Sequence, residues 1–253
     1  MLHISYDEYA ALPGLRWSTL KHMRDSPLHL QHALNNPRPD TTDLQILRAI
    51  HASVLEGVQD YVVYAGSRRG KVWTTFKDAH PGLVILRESE HERVVATTKA
   101  VHAHKGAASI LSAGLPEVSI QWEGQKGRLD WLDPERGIIA DLKTLGTTDP
   151  RAVARMVAQY GYHGQMAHYE AAARAMGVDV RRRYLIVAEG NGAHDVAVFD
   201  LDDATMRAGH LLRDRLLEQY RESEASGVWP GRLPEIEPFA LPGWAAEEVV
   251  DHA

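Results

Sequence analysis

The chain has 253 residues, 44% hydrophobic and 25% charged, and no cysteine, so disulfides, thiolate zinc sites and iron-sulfur clusters are excluded. Any metal must be held by Asp, Glu, His or backbone oxygen. With 28 Lys+Arg against 34 Asp+Glu the net charge is −6, so binding to nucleic acid requires the basic residues to be gathered on one face or along a channel.

No apolar run approaches the ~18 residues of a membrane span. Met1 to Asp7 lacks the basic and apolar regions of a signal peptide, so a cytoplasmic protein with no membrane partner is expected. Ser5-Tyr6-Asp7-Glu8 reads as a capping box opening a short helix that Leu12-Pro13-Gly14 stops. Ser18 caps a second helix and Ser26-Pro27 starts a third, with Leu20, Met23, Leu28 and Leu30 at packing positions. Asn35 to Asp40 is a loop. From Thr42 to Glu56 the pattern is helical, and Leu44, Leu47, Ile50, Val54 and Leu55 make a buried stripe. His51 lies beside that stripe, either as a hydrogen-bonded packing residue or as a ligand.

Tyr61 to Tyr64 is a strand. The loop Gly66-Ser67-Arg68-Arg69-Gly70-Lys71 follows, whose three cations in four positions suit phosphate contact or simply face solvent. Trp73 stacks or packs just after it. Leu83 to Leu86 is a short strand, Ser89 caps a long helix running to about His104, and a shorter helical piece covers Ala107 to Ala113. Glu117 to Trp122 alternates like a strand, with Glu117 either near the acids described next or an ordinary strand-end charge.

The stretch from Gly127 to Lys143 reads as two strands joined at Asp133-Pro134-Glu135-Arg136-Gly137. A turn centred near Glu135 sets Asp130 opposite Asp141, and Lys143 shares the face of Asp141. Facing carboxylates about 5 Å apart repel by on the order of 3 kcal/mol at an effective dielectric near 20. A divalent cation with hard oxygen ligands turns that repulsion into a binding site, and Lys143 beside it can orient water. Taken alone, D-x10-D-x-K is more often a surface hairpin with scattered charges than a site.

Thr148-Asp149-Pro150 starts a helix carrying Val153, Met156 and Val157, and Tyr160 to Gly164 bends the chain. The next helix holds Gln165 and Tyr169 on one face, as core packing or as substrate contacts, and Gly177 ends it. Arg181 to Val187 and Asp195 to Phe199 form a hairpin. Asp202 opens a final helix with Ala208, Leu212, Leu216 and Tyr220 as one buried stripe. Beyond Gly227 an irregular arm carries Trp229, Phe239 and Trp244.

The order of His51 on a helix, an acid-bearing strand, Asp130, Asp141-Leu142-Lys143 and helical Gln165-x-x-x-Tyr169 resembles the RecB-like branch of the PD-(D/E)xK nuclease superfamily. Within it the chain is most similar to RecE-type (exonuclease VIII-like) phage exonucleases. Ser18-Thr19-Leu20-Lys21 with Ser26-Pro27, the His51 to Glu56 segment, Arg68-Arg69-Gly70-Lys71 and Trp229-Pro230-Gly231 carry the same likeness, which spans roughly residues 4 to 231. Two departures are Leu47, where the family commonly has Gly, and a shortened basic loop.

The resemblance implies an α/β fold with a PD-(D/E)xK core. A central mixed sheet would be flanked by helices on both faces, with an N-terminal helical part (1–60), a catalytic core (115–226) and a tail (232–253). It implies that Asp130 and Asp141 hold one or two Mg2+ or Mn2+ ions with His51 and the Leu142 carbonyl, and that Lys143 positions the attacking water. Gln165 and Tyr169 would contact substrate, Arg68, Arg69 and Lys71 would grip DNA, and Glu117 would be an additional active-site acid. The implied activity is 5′-to-3′ digestion of linear duplex DNA, leaving 3′ single strands for a RecT/Beta-like annealing protein in a bacterial cytoplasm. A ring-shaped homo-oligomer would enclose the DNA. The alternatives are an endonuclease or opposite-polarity nuclease on the same core, or a non-catalytic DNA-end-binding scaffold.

Overall fold

The computed structural model describes residues 4–36, 41–233 and 235–243. Four helices lead: α1 (Tyr6–Ala11), α2 (Trp17–Leu20), α3 (Pro27–Asn35) and α4 (Thr42–His51). The capping box of α1 forms, with Ser5 Oγ accepting from the Glu8 N–H and the Glu8 carboxylate accepting from the Ser5 N–H at 2.8 Å. At the other end of α1 the Lys126 ammonium donates to the carbonyls of Tyr9, Ala10 and Leu12 at 3.1, 2.9 and 2.5 Å, satisfying C-terminal acceptors that the helix leaves open. Ser18 is not a cap: α2 starts at Trp17, with Arg16 in the capping position and no side-chain bond.

The α4 stripe also differs from expectation. Ile46, Ala49, Ile50, Val54 and Leu55 are buried, whereas Leu44 and Leu47 line a cleft together with His51. Residues 44, 47 and 51 share one face by their spacing, so α4 has two apolar faces and only one meets the core. It passes directly into a wide turn, Ala52–Glu56, closed by Gly57 at φ 67°.

A small βαβ unit follows. Strands β1 (Tyr61–Val63) and β2 (Val84–Leu86) pair in parallel, and α5 (Gly70–Asp78) lies between them, beginning inside the Gly66 to Lys71 stretch that the sequence presents as loop. Then come α6 (Glu88–Ala103) and α7 (Lys105–Ile110), followed by β3 (Leu115–Trp122), β4 (Gln125–Asp133) and β5 (Ile138–Leu145). The crossover α8 (Pro150–Tyr160) and α9 (Tyr162–Ala175) leads to β6 (Arg182–Glu189), β7 (Val196–Asp200) and α10 (Asp203–Ser226).

Strands β3 to β7 lie side by side in chain order, antiparallel except for the parallel β5–β6 pair. Alternation along β5 sends Ala140 and Leu142 against Ile50, Val94 and Val101 of α4 and α6, and Ile139 against Met166, Ala172 and Ala173 of α9. The fold is therefore a mixed sheet with helices on both faces, the class expected from the sequence. Outside α9 lies α10, close enough that a Cβ on Gly209 would stand 2.3 Å from the His163 carbonyl oxygen.

The far half of α10 packs with the N-terminal helices through Leu20, Met23, Leu30, Leu216 and Leu217. Its buried positions are Met206, Gly209, Leu216, Leu217 and Ser223 rather than one stripe through Ala208 and Leu212, because its two ends meet different partners. Trp229 packs near Tyr220, and the Leu28 N–H donates to the Pro230 carbonyl at 3.1 Å, which anchors the start of the arm. Trp244 and part of the Asn35 to Asp40 loop lie outside the described residues. No helix among the described residues is long and apolar enough to cross a membrane.

Candidate active site

Pairing of β4 with β5 sets Trp131 against Ala140, Leu132 against Ile139 and Asp133 against Ile138. One step further along the same register, Asp130 faces Asp141. On the other side of β4, Pro116 pairs with Trp131 and Val118 with Leu129, which brings Glu117 level with Asp130. Three carboxylates thus form a file across three strands. The paired ladder omits the Glu117–Asp130 step, and Glu117 has φ 50°, a left-handed conformation that costs a non-glycine residue on the order of 1–3 kcal/mol.

His51, at the end of α4, closes the group from above. Its Nδ1 is 3.6 Å from Asp130 Oδ2 and 3.9 Å from Glu117 Oε1. One ligand atom from each of His51, Glu117 and Asp130 lies within 4.8 Å of the others. The Leu142 N–H donates to Asp130 Oδ2 at 2.8 Å, while the Leu142 backbone also hydrogen-bonds the His51 ring. Two residues before Asp130 and on its face, Arg128 donates from Nε to Glu117 Oε2 at 2.6 Å and from Nη1 to the Ser119 hydroxyl at 2.9 Å.

Asp141 has a different set of partners. Its Oδ2 is 2.5 Å from Lys143 Nζ, and its Oδ1 accepts from Gln165 Nε2 at 3.0 Å. The same Gln165 nitrogen donates to the Tyr169 hydroxyl at 2.8 Å. Lys143 Nζ also stands 4.9 Å from the centre of the Tyr162 ring, one turn ahead of Gln165 on α9. A direct interaction between the Asp130 and Asp141 carboxyls joins the two groups.

Burial dominates the electrostatics. It pushes Glu117 up to about 7, with Asp130 adding and Arg128 opposing, and pushes Asp141 up to about 6 against the pull of Lys143. Asp130 also rises through burial. His51 falls to about 4 because it is buried near the Lys143 charge, so its imidazole is neutral and able to ligate. Burial lowers the pKa of Lys143, but Asp141 and Asp130 outweigh it and the ammonium keeps its proton.

A neutral imidazole nitrogen and two carboxylates that are costly to ionise without a counter-charge make a donor set that fits Mg2+ or Mn2+. The group opens on a cleft of about 400 Å3 whose walls include Tyr6, Tyr9, Arg16, Arg48 and Tyr169.

Of the residues singled out in the sequence, the structure brings together His51, Glu117, Asp130, Asp141, Leu142, Lys143, Gln165 and Tyr169. The tightest ligand cluster is His51, Glu117 and Asp130, whereas Asp141 is engaged by Lys143 and Gln165. Arg68 does not face outward as a DNA contact would: its Nη2 donates to the Ile85 carbonyl at 2.6 Å and to Glu90 at 3.2 Å, pinning the small βαβ unit. Arg69 and Lys71 are exposed, and neither lines the cleft. Arg128 and Tyr162 escaped notice. Alternation from Asp130 could have found the first, and three-residue helical spacing from Gln165 the second.

Residues 17–240 match a family described as a PDDEXK-like domain of unknown function (DUF3799). The crystal structure of a candidate exonuclease from Eubacterium rectale is similar over 95% of this chain and 97% of its own, with a TM-score of 0.63 and 14% identity, a likeness of fold. A phage-related exonuclease from Haemophilus somnus 129PT aligns over 87% of this chain and 100% of its own at a TM-score of 0.37 and 13% identity. No curated protein matches the sequence.

Proposed function

The chain belongs to the PDDEXK-like family DUF3799, and from that premise we propose that it is a divalent-cation-dependent deoxyribonuclease. The observation that carries this reading is the file of Glu117, Asp130 and Asp141 across three strands, with His51 over one end and Lys143 against the other. His51, Glu117 and Asp130 would hold the ion, with Asp141 adjoining. When bound, such a cation supplies positive charge to the phosphate oxygens and makes water more acidic. Lys143 holds its proton and can orient the attacking water by donating to it. Gln165 and Tyr169 fix the Asp141 carboxylate so that Lys143 has one place to sit.

Within this reading the substrate is linear duplex DNA, digested from 5′ ends to leave 3′ single strands for a RecT/Beta-like annealing protein, in a bacterial cytoplasm. A ring of identical subunits around the duplex would reconcile the net charge of −6 with a polyanionic substrate. Support for polarity, ring and partner comes from the RecE-type resemblance.

The test uses duplexes labelled at the 5′ or the 3′ end, with Mg2+, with Mn2+ and with EDTA. Loss of the 5′ label as mononucleotide, in metal alone, is the expected result. Early loss of the 3′ label would reverse the polarity, and cutting of closed-circular DNA would make the enzyme an endonuclease. Full-length DNA in every condition would leave an end-binding scaffold. Asp141→Ala should abolish turnover while DNA-end binding survives, and undiminished turnover would remove Asp141 from the site.

A further inference from the structure

Two cations, Lys126 and Arg128, precede Asp130 at two-residue steps along β4, and both hold α1. Lys126 donates to the carbonyls of Tyr9, Ala10 and Leu12 at the end of that helix. Arg128, which also engages Glu117 of the ligand cluster, donates from Nη1 to the Ile4 carbonyl at 2.9 Å just ahead of it. A six-residue helix is too short to stand by itself, and Tyr9 is the one side chain that α1 buries. The strand that carries Asp130 therefore fixes α1 at both ends.

What α1 presents is a pair of aromatic rings. Tyr9 is buried with its ring 5.1 Å from Lys126 Nζ, whereas Tyr6, whose ring centre lies 6.5 Å from that of Tyr9, is 47% exposed. Both line the cleft that holds His51, Glu117 and Asp130, and so do Leu44 and Leu47 of α4.

The ligand cluster and the two arginines of the cleft suit a phosphate, but tyrosine and leucine walls do not. Apolar side chains from two elements around an open space of about 400 Å3 are the lining of a ligand pocket, and the apolar part of a nucleotide is the flat face of its base. A base can reach such a wall only by leaving the stack of its own helix.

We propose that the cleft receives one nucleotide of the cut strand, its base lifted out of the duplex and laid against the Tyr6 ring beside Leu44 and Leu47. Tyr6 thereby positions the adjoining phosphate at His51, Glu117 and Asp130. Every base has such a face, so the slot accepts all four. The inference rests on the nuclease reading.

The experiment measures, by fluorescence anisotropy in EDTA, the binding of hairpin-closed duplexes with a single open end to the wild type, Tyr6→Phe and Tyr6→Leu. The digested strand is intact or carries an abasic residue at the end nucleotide, at its neighbour, or deep in the duplex. Tyr6→Leu on intact DNA, and an abasic residue at one of the two end positions with the wild type, should each weaken binding on the order of tenfold. Combined, they should cost no more than either alone, because both remove the same stacking contact. Tyr6→Phe should bind as the wild type does, and the deep abasic residue should change nothing. Wild-type affinity in Tyr6→Leu, an equal loss in Tyr6→Phe, or losses that multiply as a general disturbance of α1 would make them, overturn the slot while leaving the nuclease reading intact. A wild-type protein that neither binds nor cuts DNA overturns both.

Discussion

Tyr162 isolates what the first turn of α9 does for Lys143. The ammonium sits between Asp141 Oδ2 at 2.5 Å and the Tyr162 ring at 4.9 Å, an arrangement in which the ring contributes about 0.5–2 kcal/mol. Tyr162→Leu should lower kcat by roughly tenfold, leave KM for duplex and metal-induced thermal stabilisation unchanged, and be rescued by Tyr162→Phe. Equal losses in Leu and Phe would shift the role to the hydroxyl. At this scale the sequence made some partners visible and hid others. The Asp130–Asp141 opposition follows from counting across one proline-glycine turn. Glu117 joins them only through a second turn, Glu123-Gly124, in which both residues have positive φ (43° and 73°). Hairpins of this kind favour Asn-Gly or Asp-Gly at the turn, so Glu-Gly gives little warning of the register it imposes.

At the scale of elements, α9 is held by a buried carboxylate. Glu170 accepts from Arg183 Nη2 at 2.8 Å and Nε at 3.2 Å, lies 3.3 Å from His210 Nε2 on α10, and pairs with Arg174 on its own helix. Burial pushes its pKa up, but the bonds from His210 and Arg183 prevail and hold it at about 2. Glu170→Ala strands Arg183 and should cost about 3–5 kcal/mol, a fall in Tm of roughly 10 °C for a domain of this size. Because the folded pKa is depressed, the contribution is full above the ordinary value of 4.5 and fades as pH falls toward 2. Melting curves of variant and wild type should therefore converge in acid, and a constant gap would mean that packing rather than charge is lost. The run of buried residues from Met166 to Glu170 leaves α9 without a clear polar face. The sheet covers one side and α10 the other, so its periodicity carries little information. In α4, by contrast, the periodicity is visible but does not say which face meets the core, since Leu44 and Leu47 on the cleft side alternate with Ile46, Ala49 and Ile50 on the core side.

Across the whole molecule, the fold converges a helix end, three strands and a second helix on one ionisable cluster, an assembly that motif order suggested and only tertiary pairing could locate. Without a cation, that cluster makes the fold favour protonated acids. Glu117 at about 7 and Asp141 at about 6 stand above ordinary carboxylates, so their contribution to stability is full at acid pH and is lost as pH rises through those values. A cation takes the ionised forms, so its binding releases protons and strengthens as pH rises. His51, at about 4, stays neutral above pH 5 and adds little to this trend. Added Mn2+ or Mg2+ should therefore raise Tm only slightly at about pH 5.5 and markedly more at about pH 8, by the mass-action relation between affinity and stability. Calorimetric titration at the two pH values in buffers of different ionisation enthalpy would count the protons released. Glu117→Gln removes the highest of these titrations and should flatten the dependence between pH 6 and 8; a metal response equal at both pH values in the wild type would mean that the ion binds elsewhere than at His51, Glu117 and Asp130.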